Sequence, residues 1–256
     1  MRNLIYRIYE GAIERGLNTQ DLPKHVAVML DGNRRWAERR NAGNVKHGHA
    51  AGAQKIFEFL TWCDEIGIPV VTLYMLSIDN LKNRASKELE DLLDIIGELS
   101  TDLAETGNWV LQLMGDRAAL PPELLAKLEA AEKSSKRFAG KGGVHVNLAI
   151  GYGGRKEIAD AMRSIVKEHA AAGATLDALG DILTPELISQ HLYTGGQPDP
   201  DLIIRTSGEQ RLSGFLLWQS ASSELYFEEA LWPDFRKVDF LRAIRAFENR
   251  HRRYGA

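Results

Sequence analysis

The chain has 256 residues, a length that one α/β core can accommodate, and carries 32 Lys and Arg against 35 Asp and Glu for a formal net charge of −3. That balance excludes a basic nucleic-acid-binding coat, and the single cysteine, Cys63, excludes an internal disulfide and any cysteine-built zinc or iron–sulfur site. No apolar run approaches the ~18 residues of a spanning helix, so the composition predicts a soluble, cytoplasmic protein.

In chain order, the first sixteen residues lack the apolar run of a secretory leader. Leu4, Ile5, Ile8, Ala12 and Ile13 share one helical face, which predicts a helical extension over residues 1–20 that packs on the body. A peripheral membrane contact of this extension stays open. His25–Leu30 is a compact apolar strand, followed by a helix over Gly48–Ile66 and a strand over Pro69–Leu76. Ser86–Thr106 is helical, with Leu89, Leu92, Leu93, Ile96, Leu99 and Leu103 on one stripe. Trp109–Met114 and Gly143–Ile150 read as strands, with a helix over Pro121–Phe138 between them that has proline near its start. Helices follow over Arg155–Ala171 and Thr184–Leu192, then short strands over Asp201–Arg205 and Phe215–Trp218, and a last helix over Val238–Tyr254. Gly173–Gly180 is the loosest stretch and reads as a mobile loop. Without repeats or a Pro/Ser-rich linker, the pattern predicts one domain over residues 1–256. Its class is α/β, with a largely parallel six-stranded central sheet flanked by helices.

Functional side chains in such sheets gather beyond the carboxyl ends of the strands. The first strand runs into Asp31-Gly32-Asn33-Arg34-Arg35-Trp36. Guanidinium forks suit phosphate, and a lone carboxylate among them suits Mg²⁺, which takes one or two protein carboxylates plus phosphate oxygens. Read by itself, the segment equally suits a turn closed by an Asp–Arg salt bridge. The second strand ends in Ser77-Ile78-Asp79-Asn80, which also reads as a helix cap. Gly151-Tyr152-Gly153-Gly154-Arg155 lacks a dinucleotide fingerprint. Arg205 and Arg211, with Ser213 two residues further on, form a plausible diphosphate clamp, and Glu224 is a second candidate metal carboxylate. Together these residues point to a diphosphate ligand, with an apolar tail and Mg²⁺ as open possibilities, and do not yield a reaction.

The runs H-V-A-V-M-L-D-G-N-R-R-W (25–36), G-H (48–49), S-I-D-N (77–80), Y-G-G-R (152–155), D-L-I-I-R-T-S-G-E-Q-R-L-S-G-F-L-L-W-Q (201–219), E-L-Y-F (224–227) and W-P-D-F (232–235) resemble, in order, the cis-prenyltransferase or undecaprenyl diphosphate synthase family. The resemblance is to its short-chain actinobacterial branch, the (2Z,6E)-farnesyl diphosphate synthases. It implies an apolar tunnel, Mg²⁺, a homodimer, and condensation of isopentenyl diphosphate with an allylic diphosphate. By the same resemblance Asp31 is the catalytic, metal-linked carboxylate, and Gly32, Asn33, Arg34, Arg35, Trp36 and His49 line the allylic site. Ser77 and Asn80 support the reacting centre, Arg84 is a further substrate contact, and Arg205, Arg211 and Ser213 grip isopentenyl diphosphate. Glu224 is the second metal acid, contributed across the dimer in some relatives, and Arg253-Tyr254-Gly255 matches a C-terminal element that reaches toward the partner's site.

This chain departs from the pattern at Asn83-Arg84, where the expected arginine is displaced by one position, and at Ser222, where an aromatic is common. Met75 and Leu76 are bulky where many long-chain relatives carry a small residue and Phe, so the expected product is short, C15 from geranyl diphosphate. The alternatives are a long-chain decaprenyl or undecaprenyl diphosphate synthase and a non-catalytic subunit of a heteromeric enzyme. The latter typically loses the first-strand Asp and the arginine clamp, which this chain keeps. Basic stretches at Arg34–Arg40 and Arg236–Arg253 are offset by the acidic helix Ser86–Glu105, which explains the near-neutral total.

Overall fold

The computed structural model describes residues 10–40, 44–83, 86–140, 143–173 and 175–254. Among them, six strands form one sheet in the order β3-β4-β2-β1-β5-β6, and every neighbouring pair is parallel. These are β1 (His25–Met29), β2 (Val70–Ser77), β3 (Val110–Met114), β4 (His145–Tyr152), β5 (Leu202–Arg205) and β6 (Glu224–Phe227). The helices are α1 (residues 10–16), α2 (Asn33–Arg39), α3 (Val45–Ile66), α4 (Ile78–Asn83), α5 (Ser86–Thr106), α6 (Pro122–Ser135), α7 (Gly154–Ala171), α8 (Leu176–Ile182), α9 (Pro185–His191) and α10 (Lys237–Tyr254).

Strand alternation builds two cores. Val26 and Val28 of β1 point into the larger one, with Ile56, Phe59 and Leu60 of α3, the leucine stripe of α5, and Phe240 and Ile244 of α10. Ala27 and Met29 point the other way, toward Tyr152, Ile203, Phe215 and Leu216. Burial on both faces is why β1 is buried at every position and, after His25, reads as a continuous apolar run rather than an alternating one. Ile13 of α1 packs on Val238 and Leu241 of α10, so the described part of the N-terminal extension sits on the body. Leu4, Ile5 and Ile8 lie outside the described residues.

Three expectations need correction. Phe215–Trp218 is a turn: Leu216 has a φ of 45°, and its carbonyl accepts from Ser220 N at 2.8 Å. The strand beside β5 is Glu224–Phe227, a half-buried edge strand whose weak alternation hides it in the sequence. Asn33–Arg39 is a helix with only Ala37 buried, so it lacks an apolar stripe. The stretch read as a loose loop, Gly173–Gly180, overlaps α8, which begins at Leu176 and continues to Ile182.

On the second face, a buried polar row crosses the sheet. Thr72, Asn147 and Gln112 are register neighbours on β2, β4 and β3. The Asn147 amide donates to Thr72 Oγ1 at 2.9 Å and to Gln197 Oε1 at 2.6 Å, and Gln197 Nε2 donates to Gln112 Oε1 at 2.9 Å. His25, fully buried, lies 2.7 Å through Nδ1 from the Pro198 carbonyl and 2.7 Å through Nε2 from Thr72 Oγ1. This network pins the 193–201 connection over the strands. Burial lowers the His25 pKa and nearby His145 adds to that, while the Pro198 carbonyl and Asp201 oppose it. Burial lowers His145 as well.

Both imidazoles are therefore held neutral in the fold and bind protons more readily when unfolded. Their linkage stability is present above the unfolded pKa of about 6.5 and is lost as pH falls below it. The melting temperature should drop between about pH 7.5 and about pH 5.5, and less steeply in His25→Gln. A pH-independent melting temperature across that window would contradict the assignment.

Candidate active site

The strand order reverses between β1, whose chain leads on to β2, and β5, whose chain leads to β6 on the other side. Ligands of open α/β sheets bind at such a switch point. Here the side chains facing each other are Asp31, two residues past β1, and Arg205, the last residue of β5. Arg205 Nη2 donates to Asp31 Oδ2 at 2.9 Å, although the Arg205 side chain is only 5% exposed and the Asp31 side chain 38%. The backbone beneath is stitched by Thr206, whose Oγ1 accepts from Asp31 N at 3.0 Å and lies 2.8 Å from Asp31 O. Trp232 N donates to that same carbonyl at 3.0 Å. Gly32 follows at a φ of 108°, and a Cβ there would meet Leu231 at 2.9 Å, so only glycine makes the turn into α2. Glycines at 48 and 52 let α3 close on α2, because a Cβ would lie 2.1 Å from Asn33 O and 2.5 Å from Asn33 Oδ1 respectively.

A cleft of about 540 Å³ opens above this pair. Its lining brings together Asp31, Gly32, Asn33, Arg34, Arg35 and His49 from the first loop and α3, Arg205, Arg211 and Ser213 from β5 and its loop, and Ser77 and Asn80 from the end of β2. Glu88 of α5 organises the first group, lying 3.4 Å from Arg34 Nε and 3.4 Å from His49 Nε2. Arg35 spans the first two groups: Nη1 donates to Ser207 O at 3.3 Å, and Nη2 lies 3.8 Å from Asp31 Oδ1 and 3.9 Å from Glu209 Oε1. Arg205 Nη1 donates to Ser213 Oγ at 3.0 Å and to the Arg211 carbonyl, while the exposed Arg211 guanidinium pairs with Glu209. Arg205 Nε is buried and has no partner. The site is thus a set of cationic forks pre-aimed at one opening, the arrangement that stabilises charge developing on a phosphate.

The floor comes from the end of β2. Tyr74 pairs with Ala149 and Leu76 with Ile150, so Met75 is an extra residue in the ladder, and Gly151 absorbs a compensating slip before Ser77 meets Tyr152. The bulge lets Met75 and Leu76, neighbours that would otherwise face opposite ways, both line the cleft. Burial raises the Tyr74 phenol to about 12, with Asp79 adding to the shift and Ser77 and Arg205 opposing it. At Met75, a small pocket of about 30 Å³ is lined mostly by apolar side chains, Leu30, Ala53, Ile56, Leu92 and Trp232, together with Asn33 and His49.

Not every predicted residue reaches the cleft. Trp36 is outside its lining, with the Arg40 guanidinium 4.7 Å from its ring centre. Glu224 sits at the start of β6, in register with Leu202, and accepts from Arg250 at 2.8 Å. Asp31 lies past the opposite edge of the sheet, so three residues of strand, about 10 Å, separate Glu224 from the level of Arg205. Arg84 and Gly255 lie outside the described residues, as do the side chains of Arg253 and Tyr254. Among the described residues, no three His, Cys, Asp or Glu side chains converge. Sequence reasoning missed Glu88, Thr206 and Tyr74, whereas a salt bridge of the arginine loop to Glu209 is an arrangement that the sequence allows. Glu88 has no local signal, being one acid among seven in its helix, and Tyr74 reads as a core strand residue.

A parallel sheet with a cationic cleft at its switch point and a small, mostly apolar pocket beside it defines a class of diphosphate-handling transferases. The chain belongs to the prenyltransferase family described as "Putative undecaprenyl diphosphate synthase", whose model matches residues 29–255. It is 53% identical over 255 residues to the (2Z,6E)-farnesyl diphosphate synthase of Thermobifida fusca, covering 100% of this chain and 98% of the relative. It is 49% identical over 258 residues to the short-chain Z-isoprenyl diphosphate synthase of Mycobacterium bovis, covering 100% and 97%. Among solved structures, it is similar to lavandulyl diphosphate synthase from Lavandula x intermedia in complex with dimethylallyl diphosphate. The TM-score is 0.81 at 34% identity, over 90% of this chain and 96% of that one.

Proposed function

We propose that this chain is a short-chain Z-isoprenyl diphosphate synthase that joins isopentenyl diphosphate to geranyl diphosphate, giving (2Z,6E)-farnesyl diphosphate and free diphosphate. The observation that carries the reading is the union of a phosphate-type cleft with only a small, mostly apolar pocket, about 30 Å³, beside Met75. So small an apolar space favours a short product over a decaprenyl or undecaprenyl one. A non-catalytic subunit is disfavoured because Asp31 and Arg205 are present and paired.

In this reading Asp31, Arg34, Arg35 and His49 receive the allylic diphosphate, and Arg205, Arg211 and Ser213 the isopentenyl one. The allylic C–O bond breaks, the alkene of isopentenyl diphosphate forms the new C–C bond, and one proton leaves. The arginines stabilise the charge that builds on the departing diphosphate. Ser77 and Asn80 orient the reacting centre, where Asn80 N donates to Ser77 Oγ at 3.0 Å.

Mg²⁺ fits the donor set. Asp31 Oδ2 is taken by Arg205, while Oδ1 has only Arg35 at 3.8 Å and is an oxygen donor beside the cleft. Held at Asp31, the ion would supply charge neutralisation for the diphosphate. Glu224 is too far from Asp31 within one chain to share that ion, so its assigned role requires a second copy, and the reading includes a homodimer. The sheet draws strands from residue 25 to residue 227, which supports one domain. Among the described residues no helix is long and apolar enough to cross a membrane, and the proposed location is cytoplasmic.

Radiolabelled isopentenyl diphosphate, with Mg²⁺ and dimethylallyl, geranyl or farnesyl diphosphate as starter, tests the assignment. A C15 product from geranyl diphosphate is expected. Mainly C50 or C55 chains would overturn it.

A further inference from the structure

The loop from Ser207 to Leu217 carries Arg211 and Ser213, yet its backbone is poorly suited to hold itself. Ser207, Ser213 and Leu216 stand at φ values of 79°, 47° and 45°, in the left-handed region that non-glycine residues avoid. Its backbone ties near Ser213 are few: Phe215 N to Leu212 O at 2.9 Å, and Gly154 N to Gly214 O at 2.9 Å. Arg205 Nη1 holds the loop's middle, donating to Ser213 Oγ at 3.0 Å and to the Arg211 carbonyl, and its C-terminal end is anchored by an aromatic cluster. Phe215 is fully buried, and its ring stacks on Tyr74 with centroids 4.5 Å apart and planes 8° from parallel. Tyr152 meets Phe215 edge-on at 6.0 Å and Tyr74 edge-on at 5.8 Å. Its hydroxyl donates to the buried Glu157 at 2.5 Å, which fixes the back of the cluster.

Tyr74 shares a register row with Met29, which also pairs with Arg205, so Tyr74 and Arg205 lie on strands flanking β1 at the same height. We propose that Tyr74 is a positioning residue whose ring seats Phe215 and thereby presets the Arg211–Ser213 arm against Arg205. For the ligand concerned, this rests on the proposed function above. An arm that must order itself on binding weakens the apparent affinity for the substrate it grips, and a seated ring removes that cost.

The test compares Tyr74→Leu, Tyr74→Phe and Phe215→Leu in the full chain. Loss of the stack, in Tyr74→Leu or Phe215→Leu, should raise KM for isopentenyl diphosphate by about tenfold or more, with kcat within about threefold. The double variant should be no worse than the poorer single one, because both changes break one contact. Tyr74→Phe keeps the ring and should keep the KM for isopentenyl diphosphate. Amide hydrogen exchange over residues 207–217 without substrate should quicken in both leucine variants and not in Tyr74→Phe. Wild-type exchange and wild-type KM in a folded Tyr74→Leu or Phe215→Leu protein would overturn the proposal, as would equal defects in Tyr74→Phe and Tyr74→Leu. If Tyr74→Leu does not fold, Phe215→Leu decides by the same criteria. A wild-type protein that fails to consume isopentenyl diphosphate would remove the proposed function, while the exchange rates would still decide whether the stack holds the arm.

Discussion

Asp31→Asn is expected to lower kcat/KM for isopentenyl diphosphate and geranyl diphosphate by roughly a thousandfold, about 4 kcal/mol of transition-state stabilisation. Asparagine keeps the shape and one oxygen, so Thr206 and Trp232 still hold the turn. What it loses is the charge that faces Arg205 at 2.9 Å and the oxygen that faces the cleft. The fold also feels the change, because Arg205 is buried and gives up its counter-ion. Severing a fully buried pair costs about 3–5 kcal/mol, and the value here is smaller because Asp31 is partly exposed and the amide oxygen remains. Steady-state kinetics and a melting curve on the same preparation separate the two effects. Activity within about tenfold of wild type would refute the role of Asp31.

Met75→Ala is expected to change the product rather than the rate. Met75 lines both the cleft and the small apolar pocket beside it, whereas Leu76 lines the cleft alone and is 1% exposed in the larger core. Trimming Met75 joins the two spaces, so C15 should decline and C20 and longer chains should appear from the same substrates. The stability cost should fall near or below the low end of the ~2–5 kcal/mol seen for core Met→Ala changes, since Met75 is half-buried. Leu76→Ala should instead cost stability within that range and lengthen the product less. Chromatography of the dephosphorylated products decides between them. An unchanged C15 product from Met75→Ala, with longer chains from Leu76→Ala, would reverse the assignment.

The cationic half of the site was legible because β1 and β5 each run from an apolar strand straight into charged residues, and a parallel sheet carries such ends to one edge. Asp31 and Arg205 are 174 residues apart, and strand order alone brings them together. The arrangement around them was not legible. Glu88 reads as one more acid on an outward helix face until α5 packs across α3 and presents it to His49 and Arg34. Phe215–Trp218 has the composition of a strand, but Phe215 is claimed by two tyrosines instead.

By itself, then, the sequence determined the alternation of elements, the parallel sheet and the identity of the charged groups just past the strand ends. Those follow from local periodicity and from charges placed just after buried runs. Only the tertiary structure decided which neighbours complete the site. The bulge at Met75 puts consecutive side chains into one cleft, the β6 register sets Glu224 at the opposite edge, and packing of α5 over α3 forms the small apolar pocket. Each depends on contacts between segments far apart in the chain, so periodicity within a segment carries no trace of them. The same distinction applies to the charge. The net value of −3 excluded a nucleic-acid coat, whereas the cleft's cations became apparent as one group only once the strands had been laid side by side.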